Sequence, residues 1–108
     1  MFKKRARVKK IIERYRQELM NLGIKAEKII LYGSYAKGNS RRDSDIDLIV
    51  VSNDFKSFNL RERLELLGLA AGRVFEPIEA FGYTPKELKS GHKESFLGAI
   101  LESVCIAY

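Results

Sequence analysis

Residues 31–52 read LYGSYAKGNSRRDSDIDLIVVS, and the reading of this stretch decides the fold. It opens on the end of an apolar run, Ile29-Ile30-Leu31, that breaks at Gly33-Ser34. Further on, Asp45-Ile46-Asp47 feeds a second apolar run, Leu48-Ile49-Val50-Val51. Two strands joined by a Gly/Ser turn and a short basic loop follow from that pattern. In a strand, residues i and i+2 face the same side, so Asp45 and Asp47 project together. Such a pair suits a hard divalent cation such as Mg2+, which takes one or two carboxylates and shares its substrate's phosphates. Gly33 permits close backbone approach, and Ser34 adds a hydroxyl where a short helix should begin, a combination suited to phosphate. A Gly-Ser turn or an Asp-x-Asp alone is commonplace. Their conjunction between two hydrophobic strands is not, because a solvated acidic pair needs no such flanks.

The rest of the chain bounds what that stretch can belong to. Its 108 residues leave room for one domain with a modest core, residues 1–108, and 45% hydrophobic content is that of a globular protein. No uncharged apolar run approaches the roughly 18 residues a membrane helix needs, and the basic N-terminus lacks a signal-type apolar core. A soluble, cytoplasmic protein without membrane contact is expected. Cys105 stands alone among Val104, Ile106 and Ala107 and reads as a small buried hydrophobe. His92, the one histidine, lies in a polar loop, which excludes a zinc site and any Ser-His-Asp or Cys-His nucleophile arrangement. The net charge of +6 is uneven: residues 1–25 hold nine Lys/Arg against Glu13 and Glu18, a net of +7, and the remainder is nearly neutral. A basic N-terminal segment admits a nucleic-acid partner or a merely solvated face.

Taken in order, Val8, Ile11, Ile12, Tyr15, Leu19 and Leu22 recur at helical steps, with Lys9, Lys10, Arg14 and Arg16 turned to water and an end near Gly23. Ala26 to Tyr32 is the first strand, and Ser34 caps a short helix at Tyr35–Lys37. Gly38 to Arg42 is a loop whose Arg41 and Arg42 either clamp a triphosphate or are simply exposed. After the strand 45–51 and a polar stretch, Leu60, Leu64, Leu67 and Ala71 mark a second amphipathic helix with Gly72 as its stop. Pro77 to Tyr83 is a third strand, and Thr84-Pro85-Lys86-Glu87 a capped helix start. A last helix near 93–101 runs into a short terminal strand within Val104–Tyr108. The alternation predicts a small α/β domain.

Gly33-Ser34-Tyr35-Ala36-Lys37-Gly38 and Ser44-Asp45-Ile46-Asp47-Leu48 resemble the signature of the polymerase β-like nucleotidyltransferase superfamily, and within it the minimal nucleotidyltransferases. The resemblance implies a single small mixed sheet flanked by helices, in a polymerase β palm-like fold. It implies transfer of a nucleoside monophosphate, AMP from ATP, to an acceptor hydroxyl, with two Mg2+ ions or Mn2+ in their place. On that reading Gly33 and Ser34 hold the β- and γ-phosphates, with Lys37, Arg41 and Arg42 as further nucleotide-binding residues. Asp45 and Asp47 bridge the metals. The superfamily's third carboxylate sits on a neighbouring strand, where Glu79 is the candidate and Glu76 the fallback. An acid inside a strand is a poor place for a charge without a partner, and Glu79 stands where Asp is more common. Lys37 similarly replaces a common Arg and loses its planar fork. The family also implies a separate helical partner of the HEPN type, in a toxin–antitoxin pair in which this chain is the antitoxin; a homodimer is a further partner reading. The competing classes are a nucleotide-binding or partner-capping protein of the same fold without chemistry, and a nucleic-acid binder acting through the basic first helix.

Overall fold

The computed structural model describes residues 5–40, 44–90 and 96–108. Helix α1 runs Arg5–Asn21 and buries Val8, Ile11, Ile12, Tyr15 and Leu19, the stripe its spacing predicts. Strand β1 (Lys28–Tyr32) follows, then α2 (Ser34–Lys37) and β2 (Ile46–Val51). A 3-10 turn at Asn53–Ser57 leads to α3 (Leu60–Val74) and β3 (Ile78–Tyr83). The chain closes with α4 (Pro85–Ser90), α5 (Phe96–Glu102) and β4 (Ile106–Ala107). No helix among the described residues is long and apolar enough to cross a membrane.

The four strands form one mixed sheet, as expected, in the order β3-β2-β1-β4. β1 is antiparallel to both β2 and β4, while β2 and β3 run parallel. The parallel pair is possible because α3 carries the chain back across the sheet between them. Strand alternation divides the side chains between two cores. Ile29, Leu31, Leu48, Val50 and Ala80 pack against α1 and α3. Ile30, Ile49 and Val51 pack instead against Leu97 and Ile100 of α5. Each buried aliphatic side chain contributes about 1.5–3 kcal/mol, so both faces of β2 are held by substantial hydrophobic terms. That double anchorage makes β2 a rigid carrier for whatever stands at its first residues.

Several local expectations are corrected. The buried stripe of α3 is Arg63, Leu67, Ala70 and Val74. Leu60 and Leu64, expected in the core, are 61% and 41% exposed. The two stripes share Leu67 but differ by about 60° around the helix at 100° per residue. Arg63, rather than a leucine, takes the inward position. Nor does α3 stop at Gly72: the Phe75 N–H donates to the carbonyls of Ala71 (3.1 Å) and Gly72 (3.3 Å), and Phe75 adopts the left-handed cap at φ 60°. Arg16 does not face water, but is half-buried and donates to the Ala26 carbonyl at 2.7 Å. Cys105 is only half-buried, at the edge of the second core. The Thr84 cap is as expected: Thr84 Oγ1 accepts from the Glu87 N–H, and Glu87 Oε1 accepts from the Thr84 N–H. The terminal strand forms too, with Tyr108 and Ile29 exchanging backbone bonds of 2.8 and 3.0 Å. His92 lies outside the described residues, as does the expected beginning of the last helix at Lys93.

Candidate functional site

The register of the sheet assembles the acidic residues. Antiparallel pairing sets Tyr32 opposite Asp47, and parallel pairing sets Asp47 beside Glu79. Side chains paired across neighbouring strands emerge on the same face, so Tyr32, Asp47 and Glu79 form a row over three strands. Asp45, two residues before Asp47, stands exposed at the entrance to β2. Burial pushes the half-buried Asp47 carboxyl up to about 6, with Glu79 and then Asp45 adding repulsion. The Tyr32 phenol is pushed up to about 12, by burial first and then by Asp47, Glu79 and Tyr83. The ionised form of Asp47 is therefore disfavoured, by burial first and by its acidic neighbours second.

Gly33 closes the other side. It sits at φ 75°, ψ −152°, and a Cβ built there would strike Asp47 Oδ2. Gly33 itself occupies the cap position of α2, which corrects the expectation that Ser34 does; Ser34 is the first helical residue. Only glycine tolerates both that backbone angle and the contact with Asp47, so Gly33 makes the turn and the helix begins at Ser34, one residue earlier than expected. Lys37 is exposed in the last turn of α2, and Arg41 and Arg42 lie outside the described residues. Gly38 also has positive φ, 80°, but open space around its Cβ position. Both Gly33→Ala and Gly38→Ala should therefore lose stability through strain, on the order of 1 kcal/mol. Gly33→Ala should lose clearly more, because it also displaces Asp47. Thermal melts of the two variants check this, and equal losses would refute the packing of Gly33 on Asp47.

Beside the row lies an open cleft of about 690 Å³ lined by Asp45, Glu79, Glu76, Phe75, Ala71, Gly72, Pro77 and Ile78. Glu76 is engaged elsewhere: its side chain is 11% exposed and lies 3.3 Å from the Arg7 guanidinium. Glu79, by contrast, is exposed and aligned with Asp47. Among the described residues, no group of three or more His, Cys, Asp or Glu side chains closes into a ready-made metal cage. The donor set nevertheless fits a hard cation. It is all carboxylate oxygen, and a divalent ion would offset both the burial and the repulsion that raise Asp47. Two residues of this site escape sequence reasoning. Tyr32 looks like the last apolar residue of a strand, and only the register with Asp47 reveals its place. Phe75 is legible only as an aromatic at a helix end where glycine is usual.

Comparison with known proteins gives this geometry its context. The sequence matches the nucleotidyltransferase domain family over residues 5–98. The fold is similar to that of a toxin–antitoxin crystallised with AMP-PNP, at 29% identity and a TM-score of 0.50, over 73% of this chain. The chain spans 59% of the length of that matched chain. A mutant of the toxin–antitoxin MntA–HpeT is similar at 23% identity and a TM-score of 0.57, over 92% of this chain and 69% of the other. A protein from Sulfolobus solfataricus assigned as a nucleotidyltransferase is similar at 20% identity and a TM-score of 0.51, over 82% and 83%. No curated protein matches the sequence. With a match that runs from α1 into α5 and a sheet that sets Asp47 beside Glu79, the chain belongs to the nucleotidyltransferase domain family.

Proposed function

We propose that the chain transfers AMP from ATP to an acceptor hydroxyl, as a single nucleotidyltransferase domain working with Mg2+ or Mn2+. The observation that carries this reading is the Asp47–Glu79 register beside Asp45, with Gly33 packed on Asp47. Asp45 and Asp47 would hold two metal ions between them, and Glu79 would complete the ligand set on the acceptor side. When bound, such a pair of ions supplies charge neutralisation and an activated hydroxyl. The Gly33 turn and the Ser34 hydroxyl would receive the β- and γ-phosphates, with Lys37 as a nearby cation and Arg41 and Arg42 on the loop that follows. In the reaction the acceptor oxygen bonds to the α-phosphorus, and the bond from that phosphorus to pyrophosphate breaks. The hydroxyl proton leaves toward the carboxylates. The protein's contribution is positioning and a preformed charge pattern.

The toxin–antitoxin neighbour with AMP-PNP supports an adenine nucleotide as donor, and both toxin–antitoxin neighbours support a toxin partner. A helical HEPN-type protein is the partner we propose, with this chain as its antitoxin in the cytoplasm. Glu79→Gln tests the assignment. ATP binding should persist, since it rests on Gly33, Ser34, Asp45 and Asp47, while label transfer from radioactive ATP to the partner falls by orders of magnitude. Transfer equal to that of the parent would move the third carboxylate elsewhere, with Glu76 next. If the parent binds ATP but labels no acceptor, the fold serves to cap a partner.

A further inference from the structure

Phe75 is out of place by two independent measures. It is 90% exposed, and it holds φ 60°, ψ 38°, a conformation glycine adopts freely and a bulky residue resists. Neither burial nor local geometry accounts for an aromatic ring there. Its surroundings do. The residue lines the cleft that Asp45 and Glu79 share, and also a second hollow with Gly68, Leu69, Gly72 and the Arg73–Glu18 ion pair.

The flank of α1 that reaches this segment is basic. Arg7, Lys10 and Arg14 recur at three- and four-residue steps, so they run along one side of the helix, and all three are exposed. Arg14 Nη2 donates to the Val74 carbonyl at 3.1 Å, and Arg7 Nη2 donates to Glu76 Oε2 at 3.3 Å. These contacts tie the cationic flank to the residues on either side of Phe75 in the chain.

We propose that Phe75 and the Arg7-Lys10-Arg14 flank bind a single-stranded polynucleotide, one base stacked on the ring and the backbone phosphates on the cations. Charge complementarity favours this occupant: residues 1–25 carry a net charge of +7, which attracts a polyanion. An exposed aromatic beside such a strip is the arrangement that grips single strands irrespective of sequence, since every base has a π-face. A docking protein helix would favour apolar residues around the ring on the α1 side, where there are cations. Phe75 also lines the cleft shared by Asp45 and Glu79, so a strand stacked on the ring would bring its hydroxyls to the edge of that cleft as acceptors. This last consequence rests on the transfer reading, whereas the binding does not.

The test is fluorescence anisotropy with labelled oligoadenylate and oligothymidylate at low salt, in EDTA and without nucleotide. The parent should bind both. Phe75→Gly should weaken binding about tenfold or more, the loss of one stacked base, while Phe75→Trp keeps it. Phe75→Gly should also melt higher than the parent, because the strained backbone is relieved and almost no burial is lost; weak binding then is not misfolding. Lys10→Gln should lower the slope of log affinity against log salt by about 0.7, one phosphate contact. Failure of the parent to bind would overturn the proposal, as would equal binding by Phe75→Gly. If Phe75→Gly instead loses binding to a helical protein partner and not to oligonucleotide, the ring belongs to a protein interface. Neither metal nor ATP enters the assay, so its outcome is independent of whether the carboxylates transfer nucleotides.

Discussion

Asp47→Asn is expected to abolish metal-dependent ATP binding and, without metal, to raise the melting temperature at neutral pH. The first effect comes from the loss of a carboxylate ligand, the second from removing a charge that is half-buried beside two other acids. The Asp47 carboxyl titrates near 6 in the fold instead of near 3.8, because of burial, Glu79 and Asp45, in that order. A raised folded value means that the folded chain keeps a proton which the unfolded chain releases. The stability this group contributes is therefore complete below about pH 3.8 and is lost as pH rises through about 6. Asn carries no charge and loses nothing over that window. The shift alone would correspond to about 3 kcal/mol. Asp47 is only half-buried, and solvent screening brings this to roughly 1 kcal/mol, a few degrees in melting temperature. The variant's advantage should be absent near pH 4 and greatest above pH 7. Calorimetric titration with ATP and Mg2+ measures the other half, and the double change Asp45→Asn, Asp47→Asn should bind none. A melting difference that does not vary with pH would disprove the electrostatic account, and equal ATP affinity with Mg2+ and in EDTA would remove the metal from it.

Arg63→Ala is expected to be the most damaging single change to the fold. Arg63 is 8% exposed, and its guanidinium spans three elements. Nε donates to the carbonyls of Phe55 (3.1 Å) and Phe58 (3.0 Å), and Nη2 also reaches Phe55 (2.8 Å). Nη1 donates to the Gly82 carbonyl (3.2 Å) and to Glu87 Oε1 (2.7 Å), while Nη2 meets Glu87 Oε2 at 3.2 Å. The ring of fully buried Phe55 lies beneath, its centroid 5.6 Å from the guanidinium carbon. Its place is so tight that a Cβ on Gly82 would come within 2.8 Å of it.

Magnitudes decide which of these ties matters most. Glu87 is 44% exposed, so the ion pair by itself is worth only about 0–1 kcal/mol. Its carboxyl is nonetheless held below the usual range, chiefly by the Arg63 hydrogen bond. Buried carbonyls left without a donor cost roughly 1–3 kcal/mol each. The fork serves the buried carbonyls of Phe55 and Gly82 and the half-buried one of Phe58, of which Phe55 keeps the Phe58 N–H at 3.0 Å. A total of about 3–5 kcal/mol is a large part of the 5–15 kcal/mol a domain commonly has. The melting temperature should fall by more than ten degrees. Arg63→Lys should rescue little, because one ammonium cannot reach both the 3-10 turn and β3. A lysine variant that melts within a degree or two of the parent would show that charge, not the fork, holds this corner. The corner also bears on the site, since Gly82 belongs to the strand that carries Glu79.

Much of this chain is legible because its local rules agree. The three- and four-residue recurrence from Val8 to Leu19 specifies α1, and the breaks at Gly33 and Ser34 specify where β1 ends. Two apolar runs with the Asp pair at the head of the second specify β2, and Thr84 with Glu87 specifies α4. The face of α3 is not legible in this way. Leucines at 60, 64 and 67 satisfy a helical period, but so do Arg63, Leu67, Ala70 and Val74, and period alone cannot rank them. Arg63 wins the inward place because carbonyls of the 3-10 turn and its cap, the Gly82 carbonyl of β3 and the Glu87 carboxylate converge there to accept from its fork, the last two lying 19 and 24 residues away in sequence.

The same division runs through the site. Asp45, Asp47 and the Gly33-Ser34 turn can be read from spacing, because strand alternation and glycine's backbone freedom are local properties. That Glu79 and Tyr32 flank Asp47 depends on which strands pair and in which register, and that is set by packing on both faces of the sheet. Strand identity and its own carboxylates are thus written in the sequence. The company those carboxylates keep, and with it the raised Asp47 and the cleft beside Phe75, is a product of tertiary structure, because it joins residues whose only bond is the register between their strands.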